Sequence, residues 1–154
     1  MLGHDTWGIK KQFARTLLEL RNTKTERAVG VAGDVLAQVK RRVQTSGTNF
    51  RGVTFAPYSR LYATQRRKAG FQTAYVDFTR RGRLWNNINP FVQREGRFNT
   101  VVVVRPRDRE NQEKLNKLSV LKNRGNILIP SNTELAFAIQ TWRNKALDKL
   151  NRIR

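Results

Sequence analysis

The chain has 154 residues, 38% of them hydrophobic, with 31 Lys plus Arg against 11 Asp plus Glu and no cysteine. That length and apolar content describe one domain with a core, not a disordered chain. The missing cysteine excludes disulfides and thiolate metal sites, and a net charge of +20 calls for a polyanion or an assembly to offset self-repulsion.

The first residues, "MLGHDTWGIKKQF", lack the apolar core of a signal peptide. No stretch approaches the ~20 apolar residues of a membrane span. The expectation is a product made and assembled inside a cell, with no membrane partner. A first helix is expected over about Thr6–Leu20, where Trp7, Phe13, Leu17 and Leu20 share one face. A longer helix is expected over about Glu26–Thr45. Its stripe is Ala28, Val31, Ala32, Val35, Leu36, Val39 and Val43. Lys40, Arg41 and Gln44 take the opposite face. Gly30 and Gly33 weaken this helix by roughly 1 kcal/mol each, which suggests close packing against a neighbour.

"TSGTNFRG" ends that helix with turn residues. Phe55–Gly70 reads as an ordered loop with one helical turn after a capping Ser59. "AYVDFT" is a short strand candidate. "RRGRLWNNI" reads as a turn leading into a short helix that buries Leu84, Trp85 and Ile88. "RFNTVVVVRP" is the clearest strand, because four consecutive valines are stiff and favour the pleated backbone. Pro106 stops it. "RDRENQEKLNKLSVLKNRG" reads either as a partial helix anchored by Leu115, Leu118 and Leu121 or as a mobile insertion. "NILIP" reads as a short apolar segment docking on the core.

A last helix begins at Ser131, which with Glu134 makes an S-x-x-E capping box. Leu135, Ile139, Trp142, Ala146, Leu150 and Ile153 follow at helical spacing. Lys149, Arg152 and Arg154 suit its negative dipole end. The expected fold is α+β: a small antiparallel sheet packed against a long N-terminal amphipathic helix and a C-terminal helix. One domain spans 1–154. It divides into a helical pair (1–48), a loop and strands (49–106), and a charged segment with the C-terminal helix (107–154).

Catalytic chemistry finds little material. His4 is the single histidine and sits near the N-terminus, so a His general base or zinc site has no second partner. Asp5, Asp34, Asp77, Asp108 and Asp148 show no paired-carboxylate spacing, and a two-metal nuclease needs several convergent acids. There is no Walker loop and no G-x-G-x-x-G. The expectation is no enzyme, no metal and no cofactor.

Binding is the better-supported class. Lys40–Arg83 holds eleven basic residues and one acid, Asp77. Arginine outnumbers lysine there, which favours planar contacts to phosphate or carboxylate. Arg41, Arg42, Arg66, Arg67, Lys68, Arg80, Arg81 and Arg83 neutralise phosphates if the fold gathers them. Tyr58, Tyr62, Phe71, Tyr75 and Phe78 read mainly as core and docking residues, and less readily as stacking platforms for bases. No RNP, KH or zinc-finger pattern appears.

Gly52–Ile88, "GVTFAPYSRLYATQRRKAGFQTAYVDFTRRGRLWNNI", resembles the central signature of a family of tailed-bacteriophage neck proteins, also called tail-completion, head–tail joining or virion-morphogenesis proteins. Four parts carry the resemblance. They are Phe55, Pro57, Tyr58, Ser59 and Tyr62; the basic linker Arg66–Gly70; Val76, Asp77, Phe78 and Thr79; and Gly82, Leu84, Asn87 and Ile88. A long helix precedes the signature, and a valine strand and a C-terminal helix follow it. Phe78 stands where the family usually has leucine, and Asn99–Lys122 is longer and more charged than the family pattern.

The resemblance implies a structural virion protein, assembled in the host cytoplasm, in a homo-oligomeric ring of about six or twelve copies at the head–tail junction. Its implied partners are the portal or adaptor ring and the tail proteins, with non-specific contact to packaged double-stranded DNA. Phe55, Pro57, Tyr58, Tyr62, Asp77, Gly82 and Leu84 are then docking or subunit-contact residues. Arg41, Arg42, Arg60, Arg66, Arg67, Lys68, Arg80, Arg81 and Arg83 are then outward charges for DNA or an acidic partner. The alternative is a non-specific basic nucleic-acid-binding protein.

Overall fold

The structure, a computed structural model, describes residues 11, 14–15, 18–19, 21–79, 82–96, 99–120 and 126–151. Outside them lie Trp7, Phe13, Leu17 and Leu20 of the expected first helix. His4, Arg80, Arg81, Leu121, Arg152, Ile153 and Arg154 lie outside as well.

The long helix α1 spans Lys24–Ser46 and buries Leu36, Val39 and Val43, the heart of the expected stripe. It stops at Gly47, whose φ of 60° is left-handed and whose N–H returns to the Val43 carbonyl at 3.1 Å. A side chain is excluded there twice over, since a Cβ would stand 2.7 Å from the Tyr75 Cβ. Gly30 and Gly33 correct an expectation. A Cβ at either meets nothing within 4 Å among the described residues, so no close neighbour explains them.

Beyond Gly47 the chain turns back through a Thr48–Thr54 bridge and a Phe55 N–H bond to the Gly47 carbonyl at 2.9 Å. Helix α2 spans Arg60–Lys68, longer than the single turn expected. Ser59 caps it as expected, its hydroxyl accepting from the Tyr62 N–H at 3.4 Å. The strand expected at "AYVDFT" does not form. The Asp77 N–H donates to the Tyr58 hydroxyl at 3.2 Å, and the Thr79 N–H donates to the Asp77 carboxylate at 2.8 Å. Phe78 between them has φ of 54°, which no pleated strand accommodates. Side-chain bonds to the backbone have replaced the ladder.

Helix α3 spans Arg83–Asn87 and buries Trp85, with Ile88 buried just after it; Leu84 is only partly covered. Strand β1, Ile88–Glu95, pairs antiparallel with β2, Thr100–Pro106, from Ile88↔Pro106 to Glu95↔Thr100, with an irregularity between Val92 and Arg94. No element was expected over Asn89–Glu95, and Pro90 lies inside the strand. In a two-stranded sheet both strands are edges, so a missing N–H is tolerated. Helix α4 spans Arg109–Val120, so the described part of the charged segment is mostly a helix, anchored by Leu115. "NILIP" docks through buried Ile127.

Helix α5 spans Asn132–Asn151. The capping box forms in both directions: the Ser131 N–H donates to Glu134 Oε2 at 2.6 Å and the Glu134 N–H donates to Ser131 Oγ at 3.2 Å. Helix α1 is the hub, touching both strands and α5, while α4 packs on β2 and α3 on β1. The core joins Leu36, Val39 and Val43 of α1 to Phe55, Val76, Trp85, Ile88, Leu115 and Ile127. Each such side chain contributes roughly 1.5–3 kcal/mol by leaving water. The architecture is the expected α+β one.

The rotation of α5 about its axis is the unexpected feature. Glu134 pairs with Arg42 at 2.8 Å and Lys145 with Asp34 at 3.4 Å, so α5 runs antiparallel to α1. The face turned to α1 is Glu134 and Ala138, both buried, with Thr141 half-buried. The apolar stripe Leu135, Ile139 and Trp142 is displaced from that face by one residue, about 100°. It therefore stands in solvent, with Ile139 65% and Trp142 50% exposed, and Phe137 and Leu147 are exposed on other sides of the helix.

Candidate functional site

Several of the residues that carried the family resemblance, Tyr58, Tyr62, Arg66, Asp77 and Thr79, meet in one knot centred on buried Arg66 and Asp77. Arg66, only 3% exposed, projects inward from α2. Its Nη2 donates to both oxygens of Asp77, at 3.1 and 3.2 Å. Its Nε and Nη1 donate to the carbonyls of Gln72 at 3.1 Å and Thr79 at 2.6 Å. The guanidinium lies over the ring of Tyr58 at 4.5 Å, Phe71 at 5.3 Å and Tyr62 at 5.9 Å. Such a charge is tolerable in a core only because its donors and its planar faces are both occupied.

Asp77 completes the knot. Its carboxylate accepts from the Tyr58 hydroxyl at 2.8 Å and from Gln72 Nε2 at 2.6 Å. Its carbonyl accepts from the Trp85 indole N–H at 3.1 Å. Burial, the largest cause, pushes the Tyr58 hydroxyl up to about 12. Phe55 and Phe78 meet edge to face with centroids 5.1 Å apart. Gly82, with φ of 70°, turns the chain into α3, and the Asn86 N–H returns to its carbonyl at 2.9 Å.

Two of the expected outward charges are therefore corrected. Arg66 is held by Asp77, and Arg42 is held by Glu134 at 2.8 Å and by the carbonyls of Thr48 at 2.7 Å and Ile129 at 3.0 Å. Both guanidiniums turn inward because a carboxylate and two backbone carbonyls there accept their donors. Arg60, Arg67 and Lys68 do point outward from α2, and Arg41 from α1. Arg60 and Arg67, seven residues apart, share a helix face. Arg83 is exposed on α3. None of these five makes an ion pair among the described residues. Phe55 and Asp77 are buried, Tyr58, Tyr62, Gly82 and Leu84 half-buried, and Pro57 exposed.

Beside the knot lies a cleft of about 770 Å³. Tyr58, Tyr62, Phe78, Leu84 and Leu118 form its apolar walls, and Arg83, Lys114 and Lys117 bring three cations to it from α3 and α4. Lys114 is engaged with Glu110 one turn back, whereas Arg83 and Lys117 have no anion among the described residues. Asn111 lies in the same lining and is 94% buried.

Asp108 positions that asparagine. Its Oδ1 accepts the Asn111 N–H at 2.7 Å, capping α4, and the Asn111 side-chain amide reaches both Asp108 oxygens at 3.0 and 2.9 Å. Asn87 Nδ2 donates to the same carboxylate at 2.6 Å. The Asn111 N–H bond, foremost, and its side-chain bond hold the Asp108 carboxyl below its ordinary value. The sequence reading missed Asn111 and the cap. The signal was there, an aspartate directly before a charged helix with asparagine three residues on. No group of three metal-ligating side chains occurs among the described residues. No helix among them is long and apolar enough to cross a membrane. Comparison with known proteins gives no match to a family model, to a curated protein or to a solved structure.

Proposed function

We propose that this chain is a ring-forming structural protein of a tailed-phage virion, seated at the head–tail junction between portal or adaptor and tail. The observation that carries the assembly role is the outward apolar face of α5. Leu135, Ile139 and Trp142 share one exposed side of this 20-residue helix, and Phe137 and Leu147 are exposed elsewhere around it. Apolar surface so concentrated marks an interaction site. The head–tail assignment comes from the signature residues Phe55, Tyr58, Asp77, Gly82 and Leu84. They form a rigid centre from which α2 and α3 present their cations. In a cyclic ring one face of each copy meets a different face of the next, and the apolar face of α5 supplies one such face.

Immunogold labelling of particles from the source tests this. Label confined to the junction of head and tail supports the assignment, and label absent from every particle removes it.

A second reading keeps one specific observation on its side. Helix α2 carries Arg60, Arg67 and Lys68 outward and contains no acid. A non-specific nucleic-acid-binding protein uses such a face. It binds short duplexes with a log–log salt slope of about −0.9 per phosphate contacted. A docking protein shows only weak, unsaturated binding to the same duplexes.

A further inference from the structure

We infer that the cleft between α2, α3 and α4 is a docking site for an acidic peptide segment of a neighbouring protein, one apolar side chain of which enters the cleft. It names the partner chemistry of the proposed assembly protein and rests on that reading only in taking the partner to be a protein.

Asn111 Oδ1 is a buried side-chain oxygen with no hydrogen-bond partner among the described residues. The orientation of the amide is settled by Asp108. Flipping the amide would set the oxygen against two carboxylate oxygens now 3.0 and 2.9 Å from the nitrogen. A buried acceptor left unpaired costs about 1–3 kcal/mol, so a small shift of Asn111 that opens this oxygen to the cleft is favoured by an occupant that brings an N–H or O–H. A peptide backbone brings one.

The cations at the cleft define the charge of that occupant. Arg83 and Lys117 face it from two different elements and have no anion among the described residues. Leu84, Leu118 and Phe78 reward an apolar side chain. The cleft, about 770 Å³ and open to solvent on one side, is large enough to take an apolar side chain with its flanking backbone.

Nucleic acid fits less well. A phosphodiester backbone offers the apolar walls nothing. An unstacked base finds Tyr58 and Tyr62 already committed to Arg66, at 4.5 and 5.9 Å from their centroids, and to each other at 5.3 Å. The cleft selects negative charge joined to an apolar side chain and a hydrogen-bond donor, and acidic peptide joins the three.

The intact chain, isotope-labelled for NMR, is titrated with a blocked hexapeptide of two leucines flanked by aspartate and glutamate. In parallel it is titrated with a short DNA duplex and with a mononucleotide. The expected result is saturable binding of the peptide, with shifts at the Asn111 side-chain amide and at Leu118. Arg83→Glu with Lys117→Glu, both at exposed positions, weakens it by roughly tenfold or more. Asn111→Leu weakens it by roughly fivefold. No shift in the cleft at millimolar peptide overturns the inference. So does peptide binding centred on Arg60, Arg67 and Lys68, and so does tighter occupation of the cleft by nucleotide or duplex. Peptide in the cleft with no gold label at the particle neck removes the head–tail assignment alone. Label at the neck with an unresponsive cleft removes the cleft inference alone.

Discussion

Arg66 Nη2 lies 3.1 Å from Asp77 Oδ1 with both side chains buried, eleven residues apart in sequence. The ion pair ties α2 to the segment that leads into α3. It also sets the wall of the cleft, because the Arg66 guanidinium fixes Tyr58 and Tyr62. Removing either partner leaves the other charge buried without compensation.

Arg66→Ala or Asp77→Ala is accordingly expected to destabilise the fold by about 3–5 kcal/mol. Chemical denaturation checks this. The outward neighbours Arg60, Arg67 and Lys68 behave differently. Their joint reversal to glutamate leaves the denaturation midpoint close to wild type and impairs particle assembly or DNA retention. A variant as unstable as Arg66→Ala, or normal infectious particles, would show that these charges are not the outward contact face.

Tyr58 gives the molecule an alkaline limit. Its hydroxyl ionises near 12 instead of 10 because burial penalises the phenolate. A raised folded value means that stability is complete below pH 10 and is lost as pH rises from there through about 12. Tyr58→Phe removes that step in the stability curve. It also removes the phenolate signal that appears near 12 in a near-ultraviolet titration.

Asp108 gives an acid counterpart. Its folded value is depressed below the ordinary 3.8 by the bonds from Asn111. The cap is therefore complete above that ordinary value and is lost as pH falls through the folded one. Amide exchange at the first turn of α4, followed from neutral into acid, is expected to rise in that window. In Asp108→Ala it is expected to be fast at every pH.

Gly30, Gly33 and Gly47 separate by environment. Gly30→Ala and Gly33→Ala enter open space on a helix and are expected to stabilise by roughly 0.5–1 kcal/mol each. Gly47→Ala meets Tyr75 at 2.7 Å in a left-handed conformation and is expected to destabilise by more than ~1 kcal/mol. Thermal melts of the three variants check the ordering. A ring contact that needs a bare α1 shows itself if Gly30→Ala melts higher yet fails to assemble.

Ile139→Glu and Trp142→Glu test the outward face of α5. Both side chains are at least half exposed, so the isolated chain keeps its stability within about 0.5 kcal/mol. Incorporation into particles is expected to be lost. Loss of the isolated fold instead would mean that this face packs within the chain.

Several features were legible in the sequence because their causes lie within a turn or two of chain. The stripe of α1 follows from spacing alone. The stiffness of four valines makes β2. The caps at Ser59 and at Ser131 with Glu134 need only a hydroxyl or carboxylate within three residues of a free N–H. The α+β class followed from these elements. What the tertiary structure decided depends on partners that no local pattern names. Arg42 turned inward because Glu134, 92 residues away, came beside it. Arg66 turned inward because a left-handed Phe78 folded Asp77 under it. The same Arg42–Glu134 pair holds α5 about 100° from the rotation its apolar stripe suggests. Spacing specifies that a helix has two faces. The contacts that α1 makes elsewhere determine which of them is left in water.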